Sequence, residues 1–365
     1  MNTTTYPVNQ AQQFGTSDTV AVAGANLGFG FCKLVLDGRD HTFMSALTPV
    51  NPGVEGLASR KPLRENVVMG DDGKLYEAGV DGVLAATEEP LKVLSRDWAR
   101  SKHYKLLMGA ALNRMAATGK RRWIVVTGLA ADHFKDAEYR ADVLKLWKGL
   151  HGKHVTPFGD IEIVEVQVIP ETAGGFLTLL NDKYLNGLIR AGSNGVILDF
   201  GRMTVNWLPF RGEQTDGNRF SSVDVGVSNV ISEATKLVRL DARQPNLHPL
   251  DVEAAMMGLR PIHKIVEGIG GKKEMRAVST DIPVSKALIE VWPRIEQAIS
   301  NALGDMRGKL LIGIGGGAQL FEPMLRETYK QSTVEIAPHA QMANAQGMYS
   351  LGRQLAIAKG YGVGA

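Results

Sequence analysis

The chain has 365 residues, enough for two domains that each enclose a hydrophobic core. Its hydrophobic content of 44% and charged content of 22% are those of an ordinary globular protein. The net charge is only +3 and the basic residues are scattered, so we expect no direct binding to nucleic acid. The single cysteine, Cys32, excludes an internal disulfide, fits a reducing cytoplasm, and is expected to be a buried thiol in a strand.

The sequence predicts neither a membrane segment nor a signal peptide. It contains no run of 18 apolar residues, and residues 1–17 are polar and rich in Gln and Thr. We therefore expect a cytoplasmic protein without membrane insertion, in which residues 1–18 form a flexible N-terminal tail.

The first half opens with a predicted β-hairpin over residues 20–36. An apolar strand reaches the polar Asn26, turns through Gly28 and Gly30, and returns as a second strand. The elements predicted after it are a Pro- and Gly-rich loop at 48–64, a hairpin at 66–79, a helix at 99–118, a strand at 122–127, a helix at 132–150, a strand at 161–169 and a helix at 172–189.

The second half repeats this order from a hairpin over residues 195–210, whose first strand ends at Asp199 and turns through Gly201. The elements predicted after it are a helix opened by residues 222–228 and running to 239, a charged helical region at 250–305 broken near Gly268–Gly271, a strand at 309–314, a glycine loop, a helix at 318–330, a strand at 334–336 and a helix at 340–358. The repeated order predicts an α/β chain of two similar halves.

Asp199 and Glu171 are the carboxylates that these patterns single out. A carboxylate that ends an apolar strand is costly to bury unless it is paired or close to a cation. Beside a glycine turn, Asp199 suits Mg²⁺ bound through water, and it could equally be a residue that caps the turn. Glu171 follows Pro170 at a strand end and is either an acid at a helix N-terminus or a base that orients water.

Glycine loops follow three of the predicted strands, at Gly28 and Gly30, at Gly201, and at Gly315–Gly317. Glycine lets a phosphate approach main-chain N–H groups, although each loop taken singly could be an ordinary turn. The first loop lacks the Gly-Lys-Ser/Thr of a P-loop, and the last lacks the βαβ context of a dinucleotide fold. The eight histidines show no metal-ligand spacing.

These loops, in this order, resemble the actin-like ATPases, a superfamily that also holds hexokinases and heat-shock chaperones. The resemblance is to the bacterial plasmid-segregation actins of the ParM/StbA type in particular. Asn-Leu-Gly-Phe-Gly-Phe-Cys-Lys at 26–33 resembles their first phosphate loop, and Leu-Asp-Phe-Gly-Arg-Met-Thr-Val-Asn at 198–206 the second. The other segments that resemble the family are 126–129 (an interior strand and loop), 168–175 (the water-activating glutamate), 224–228 (a nucleoside-contacting turn), 314–320 (the adenosine loop) and 344–349 (the closing helix).

The resemblance covers nearly all of residues 19–358 and implies an α/β actin-like fold of two similar ribonuclease-H-like domains that flank a nucleotide cleft. Domain I would comprise residues 19–190 and a C-terminal helix at 340–365 that returns to it, and domain II residues 191–339. The implied ligands are ATP, or GTP in its place, and Mg²⁺. Glu171 and Asp199 would be catalytic, with Asp199 and, through water, Asn26 on the metal side. The nucleotide-binding residues that it implies are Asn26, Gly28, Phe29, Gly30, Phe31, Lys33, Gly201, Arg202, Met203, Thr204, Gly226, Gly315, Gly316, Gly317 and Ala318.

Two residues depart from the family's pattern. Asn26 stands where the family usually has Asp, and Asn206 where it often has Asp. Each keeps an acceptor oxygen and removes one negative charge. A hydrogen bond to a charged group contributes about 1.5–3 kcal/mol, against about 0.5–1.5 kcal/mol for a neutral one. We therefore expect the metal–water shell to be held less tightly, and hydrolysis to be retained but slow.

The function that the resemblance implies is that of a polymerising ATPase whose dynamic filaments serve plasmid or other DNA segregation, or another bacterial cytoskeletal task. Its partners would be further copies of the chain and a DNA-bound adaptor protein. Two alternatives stay open. One is a nucleotide-binding scaffold without turnover, with Asn26 and Asn206 as marks of lost catalysis. The other is a metabolite kinase on the same fold, for which no second catalytic Asp is identified.

Overall fold

A computed structural model of the chain describes residues 19–50, 64–79, 97–267 and 272–363. The predicted tail at 1–18, the predicted break near Gly268–Gly271 and most of the predicted loop at 48–64 lie outside the described residues. The chain divides into two compact units. The first unit holds the chain up to Leu129, His133–Thr178 and the chain from Asn344 onward, and the second holds Ala130–Asp132 and Leu179–Ala343. The predicted domain boundary between residues 190 and 191 stays a prediction.

The strands of the described residues fall into two larger sheets and two small ones. They are β1 (Thr19–Leu27), β2 (Phe31–Leu36), β3 (Arg39–Met44), β4 (Leu47–Val50), β5 (Val67–Met69), β6 (Leu75–Ala78), β7 (Arg122–Leu129), β8 (Lys153–His154), β9 (Ile161–Pro170), β10 (Asn194–Phe200), β11 (Val205–Arg211), β12 (Gln214–Thr215), β13 (Ser221–Val223), β14 (Ile262–Glu267), β15 (Lys273–Val278), β16 (Leu310–Ile314), β17 (Thr333–Ile336) and β18 (Gly362–Val363).

Ten α-helices lie among the described residues. They are α1 (Lys102–Ala117), α2 (Ala131–Lys135), α3 (Ala137–Lys148), α4 (Glu171–Asn181), α5 (Lys183–Arg190), α6 (Val227–Ala242), α7 (Pro249–Met256), α8 (Asp281–Leu303), α9 (Ala318–Thr328) and α10 (Ala343–Ala358), together with short 3-10 helices at Trp98–Arg100 and Ala340–Met342.

The sheet of the first unit has the strand order β3-β2-β1-β7-β9-β8, and β18 pairs with the first residues of β1. Strands β1, β2 and β3 form an antiparallel meander, whereas β1, β7 and β9 are parallel. The core beside this sheet contains the fully buried side chains of Tyr104, Trp123 and Trp147. A small sheet, β4-β6-β5, completes the described strands of this unit. The first unit therefore places the carboxyl ends of three parallel strands at one edge.

The sheet of the second unit has the strand order β12-β11-β10-β16-β17, and β13 also pairs with β11. Here β10, β11 and β12 are antiparallel, while β10, β16 and β17 are parallel. Phe200 and Phe321 stack in its core with ring centroids 5.0 Å apart. Meander and parallel strands thus follow one another in both units in the same order, which confirms the predicted repeat and the α/β class.

Three sequence predictions of secondary structure need correction. Residues 262–267 and 273–278 form the paired antiparallel strands β14 and β15 and not a helix. The predicted helices at 132–150 and 172–189 are each two helices, because Asp136 and Asp182 act as N-caps of α3 and α5 and start new helices. The remaining predicted elements are found within a few residues of their expected positions. No helix among the described residues is long and apolar enough to cross a membrane.

Candidate functional site

The two hairpin turns, residues 28–31 and 201–204, are equivalent in register. Leu27 pairs with Cys32 at the first turn, and Phe200 pairs with Val205 at the second, so the two turns have the same length. Asn26 faces Lys33 across the first hairpin, and Asp199 faces Asn206 across the second. The first turn therefore has a neutral residue before it and a cationic residue after it. The second turn has an acidic residue before it and a neutral residue after it.

The carbonyl groups of the first turn are held by donors from elsewhere in the first unit. Trp98 Nε1 donates to the Leu27 carbonyl over 2.8 Å, and Ser45 Oγ donates to the Gly28 carbonyl over 2.6 Å. The Ser45 N–H donates to the Gly30 carbonyl over 2.8 Å. In a trans peptide the C=O and the following N–H point in opposite directions. The N–H groups of Gly28 and Phe29 are therefore directed away from Trp98 and Ser45.

Gly28 lies beneath the polar side chains of the first hairpin. A Cβ on Gly28 would be 3.2 Å from Lys33 Nζ and 3.8 Å from Asn26 Oδ1, so the ammonium and amide groups both lie over the turn. Asn26 is 2% exposed, and its Oδ1 has no hydrogen-bond partner within the described part of the chain. A buried acceptor without a donor is costly. This oxygen and the neighbouring ammonium group are suited to a ligand that carries both donors and negative charge.

Phe29 and Phe31 belong to the first turn as predicted, but Phe29 is engaged in packing. Its ring lies against Trp98 with the centroids 4.6 Å apart, and Trp98 also contacts Tyr104 edge-on at 6.0 Å. The Phe29 side chain thus contributes to the core around Trp98. What this residue can offer to a ligand is its main-chain N–H.

Glu171 begins α4 where β9 ends, beside the end of β7. Gly128 pairs with Ile169, and a Cβ on Gly128 would be 2.9 Å from Glu171 Cγ. The missing side chain at Gly128 therefore makes room for the half-buried Glu171. Asn26, Gly128 and Glu171 follow or end three neighbouring parallel strands at their carboxyl edge, where α/β sheets commonly bind ligands.

The second turn is held by the N-terminus of α6. The N–H groups of Val227 and Ser228 donate to the carbonyls of Gly201 and Arg202 over 3.1 and 2.8 Å. A Cβ on Gly226 would be 2.6 Å from the Arg202 carbonyl oxygen, so only glycine allows this approach. By the same peptide geometry, the N–H groups of Arg202 and Met203 are directed away from α6.

Side chains of the second turn are bound to the second unit itself. The Arg202 guanidinium forms a buried ion pair with Glu253 of α7. Ser228 Oγ lies 3.4 Å from Met203 Sδ, and Asn206 Nδ2 donates to Thr204 Oγ1 over 3.2 Å. As in the first turn, the groups that remain for a ligand are the main-chain N–H groups. The predicted nucleotide contacts of Arg202, Met203 and Thr204 stay predictions.

Asp199 lies at the junction of the second turn and the glycine loop at 315–317. It is 4% exposed, and a Cβ on Gly315 would be 2.3 Å from its Oδ1. Gly315 has a φ of +88° and donates its N–H to the Ala340 carbonyl over 2.8 Å. Gly317 donates to the Phe200 carbonyl over 2.8 Å, and Ala318 begins α9. The glycine loop is therefore shaped around Asp199 and Phe200.

Gly316 is the most open position of that loop. The nearest atom to a Cβ there would be Gln341 Cγ at 3.8 Å, within ordinary van der Waals distance. Asn206, opposite Asp199, accepts a hydrogen bond from the Ala131 N–H over 3.3 Å through its Oδ1. With its amide bonded to Thr204 as well, Asn206 has a structural role that an aspartate could fill only in part.

Among the described residues, no three His, Cys, Asp or Glu side chains lie close enough together to hold a metal directly. Magnesium prefers oxygen ligands and commonly keeps several waters, so a single carboxylate at a strand end, such as that of Asp199, is chemically suited to it. The predicted metal contacts of Asp199 and Asn26 stay predictions.

Four residues of this region escaped sequence reasoning: Ser45, Trp98, Ala131 and Glu253. Each contacts its turn across a long stretch of chain, from 17 residues for Ser45 to 75 for Ala131. No local pattern marks such contacts, because serine and tryptophan in a loop have many ordinary uses.

Cys32 is buried as predicted, and burial raises the pKa of its thiol to about 12.

The chain is similar to known proteins in part of its sequence and in its fold. Residues 24–174 match the family model of the N-terminal domain of actin-like proteins. Comparison with curated proteins found no match. The fold is similar to a 15-stranded ParM filament from Clostridium botulinum, with a TM-score of 0.69 and 16% identity over 92% of this chain and 99% of that chain.

Two further solved structures have the same fold. Ta0583, an archaeal actin homolog in complex with ADP, has a TM-score of 0.66 and 18% identity over 92% of this chain and 100% of its own. The apo psk41 ParM protein has a TM-score of 0.62 and 16% identity over 94% of this chain and 99% of its own. Residues 24–174 therefore match the N-terminal domain of actin-like proteins, and the fold of the chain is the actin-like fold of these structures.

Proposed function

We propose that the chain is a polymerising actin-like ATPase that binds ATP with Mg²⁺ and forms dynamic filaments. The observation that carries this proposal is the shared construction of the two turns. In both turns, donors from the same unit bind the carbonyl groups on one side. The N–H groups of two successive residues are directed to the opposite side, Gly28 and Phe29 in the first turn and Arg202 and Met203 in the second. Successive backbone N–H groups of this kind bind phosphate oxygens.

The proposed nucleotide contacts are made by the residues that the sequence singles out. The N–H groups of the two turns bind the phosphates, and Lys33 neutralises phosphate charge over Gly28. The glycine loop at 315–317 and Gly226 border the nucleoside, which is adenosine, or guanosine if GTP serves in its place. Asp199 directly and Asn26 through water hold the metal side. When bound, Mg²⁺ supplies charge neutralisation between the phosphate oxygens.

Glu171 is the proposed base for hydrolysis. Its position at a strand end, in the space that Gly128 leaves, suits a carboxylate that orients one water molecule. Phosphoryl transfer to water depends mainly on positioning and charge stabilisation, so a fixed carboxylate is sufficient. Asn26 removes one charge from the metal side, and we therefore propose that turnover is slow.

Filament formation is proposed from the fold. The ParM structure from Clostridium botulinum, whose fold is similar to that of this chain, is a filament. Contacts between different surfaces of successive copies give an open filament when they do not close into a ring. We propose that nucleotide binding favours this assembly and that hydrolysis weakens it. The cellular task would be plasmid or other DNA segregation in the cytoplasm, through a DNA-bound adaptor protein.

Light scattering tests the polymerisation. Purified protein at high micromolar concentration should scatter strongly after ATP and Mg²⁺ are added together, and electron micrographs of that sample should show filaments. Excess EDTA should abolish the signal because the metal is part of the bound ligand. A chain that stays monomeric under these conditions contradicts the filament proposal.

Phosphate release separates a slow ATPase from a scaffold without turnover, an alternative that the neutral Asn26 favours. Wild type should release phosphate above background, and Glu171→Ala should reduce the rate by about a hundredfold, as expected for loss of a general base. ADP affinity should be unchanged. Equal, background-level release from both proteins would favour the scaffold.

A further inference from the structure

We propose that Ser45 is a positioning residue that sets nucleotide affinity without touching the nucleotide. The inference rests on the proposed function, because it concerns how the first turn presents its N–H groups to phosphate. Ser45 lies between β3 and β4 and is 1% exposed. It makes two of the three bonds that hold the carbonyls of this turn, one through Oγ to Gly28 and one through its N–H to Gly30.

The proton positions around Ser45 follow from the donors available. Its hydroxyl has one proton, which goes to the Gly28 carbonyl, so the Cys32 thiol 3.4 Å away donates to Ser45 Oγ. Burial raises the pKa of that thiol to about 12, which keeps it protonated. The result is a buried chain from Cys32 S–H through Ser45 O–H to the turn.

The backbone of Ser45 is also fixed. His103 Nε2 lies 3.0 Å from the Ser45 carbonyl, and since a carbonyl only accepts, the ring nitrogen donates. His103 is 4% exposed and belongs to α1, so Ser45 is tied to the helix behind the sheet. The serine is thus held by its carbonyl, while its N–H and its hydroxyl both hold the turn.

Removal of the Ser45 hydroxyl would free the peptide between Gly28 and Phe29 to rotate. The Gly28 carbonyl would lose its donor in a partly buried hydrogen bond, and rotation would bring it toward the side where Lys33 lies. A carbonyl there repels phosphate oxygens and removes the Phe29 N–H from them. The loss therefore acts on affinity for a phosphate ligand and not only on stability.

Calorimetric titration with ADP and Mg²⁺ tests this on the full-length chain. Ser45→Ala should weaken ADP binding about tenfold, the size expected for one hydrogen bond lost and one carbonyl misplaced. Ser45→Thr keeps the hydroxyl and should restore most of the affinity. Thr48→Val is the matched control, because Thr48 is 8% exposed and its hydroxyl has no hydrogen-bond partner within the described residues.

A second readout separates positioning from a merely structural role. The midpoint of thermal unfolding without nucleotide reports stability, and a structural role alone would lower it while leaving the ADP dissociation constant unchanged in the folded protein. That result would overturn the inference. Should Ser45→Ala fail to fold, Trp98→Phe removes the donor to the Leu27 carbonyl and keeps a ring against Phe29, and it should weaken ADP in the same way. If wild type binds no ADP at all, the proposed function fails instead.

Discussion

Asn26 and Asp199 occupy equivalent positions in the two halves, one as a neutral amide and the other as a carboxylate. Each lies one residue before the end of its strand, and each is nearly fully buried. The residue that faces Asn26 is the cationic Lys33, whereas the residue that faces Asp199 is the neutral Asn206. The side chains of the first hairpin therefore favour phosphate charge, and the Asp199 carboxylate of the second favours a cation. The first glycine is at the same place in both turns, Gly28 and Gly201, so it does not reveal this asymmetry.

Asn26→Asp should lower the Mg²⁺ concentration at which the metal enhances nucleotide binding. A charged acceptor holds a metal-bound water more tightly than an amide by about 1 kcal/mol, which corresponds to about a fivefold change in binding. ADP titrations at graded Mg²⁺ should therefore show half-maximal enhancement at about one fifth of the wild-type Mg²⁺ concentration. Asn26→Ala serves as the comparison and should shift the midpoint the other way. An unchanged midpoint in Asn26→Asp would show that this residue does not face the metal.

Most of the elements could be predicted because apolar strands and glycine turns have short-range signals. The hairpin β14–β15 was missed because Ile262, Ile265 and Val266 have helical spacing. Ile265 also faces Met275 across the hairpin, and the two are 63% and 72% exposed, so no buried alternation marks the strands. The two split helices do have a signal in the sequence, because the N-caps Asp136 and Asp182 mark the start of α3 and α5. Contacts such as that of Ser45 with Gly28 depend on tertiary packing and leave no such trace.

Helices α4 and α10 cross so closely at Gly174 and Gly347 that a side chain at either position would force the backbones apart. A Cβ on Gly347 would be 1.7 Å from the Gly174 carbonyl oxygen, a distance that requires the backbones to separate. Gly347→Ala should destabilise the protein by about 3 kcal/mol, at the upper end for overpacking, in urea unfolding. Because α4 starts at Glu171, phosphate release should also fall in the folded fraction.

Gly187→Ala is the matched control for that substitution. Gly187 is also within a helix, α5, but a Cβ there would meet nothing within 4 Å. Alanine should stabilise this helix by about 0.5–1 kcal/mol through its higher helix propensity. If Gly347→Ala unfolds at the same urea concentration as wild type, the close crossing does not exist in solution.

At the scale of the whole molecule, the internal repeat gives each unit a turn with two directed N–H groups and one polar residue before it. The side chains around the two turns differ in charge, with Lys33 after the first turn and Asp199 before the second. If ADP binding depends on both turns, substitutions in either unit should weaken it.

Lys33→Ala in the first unit and Asp199→Asn in the second test this directly. Each removes a charged contact, for which a loss of about 1.5–3 kcal/mol predicts ADP binding weakened roughly 10- to 100-fold in calorimetric titration with Mg²⁺. Lys105→Ala and Glu290→Gln, at exposed positions of α1 and α8, are the charge-matched controls and should leave the affinity unchanged. If only one of the two site substitutions weakens ADP binding, the dependence on both turns is contradicted, and the other turn is not part of the proposed nucleotide site.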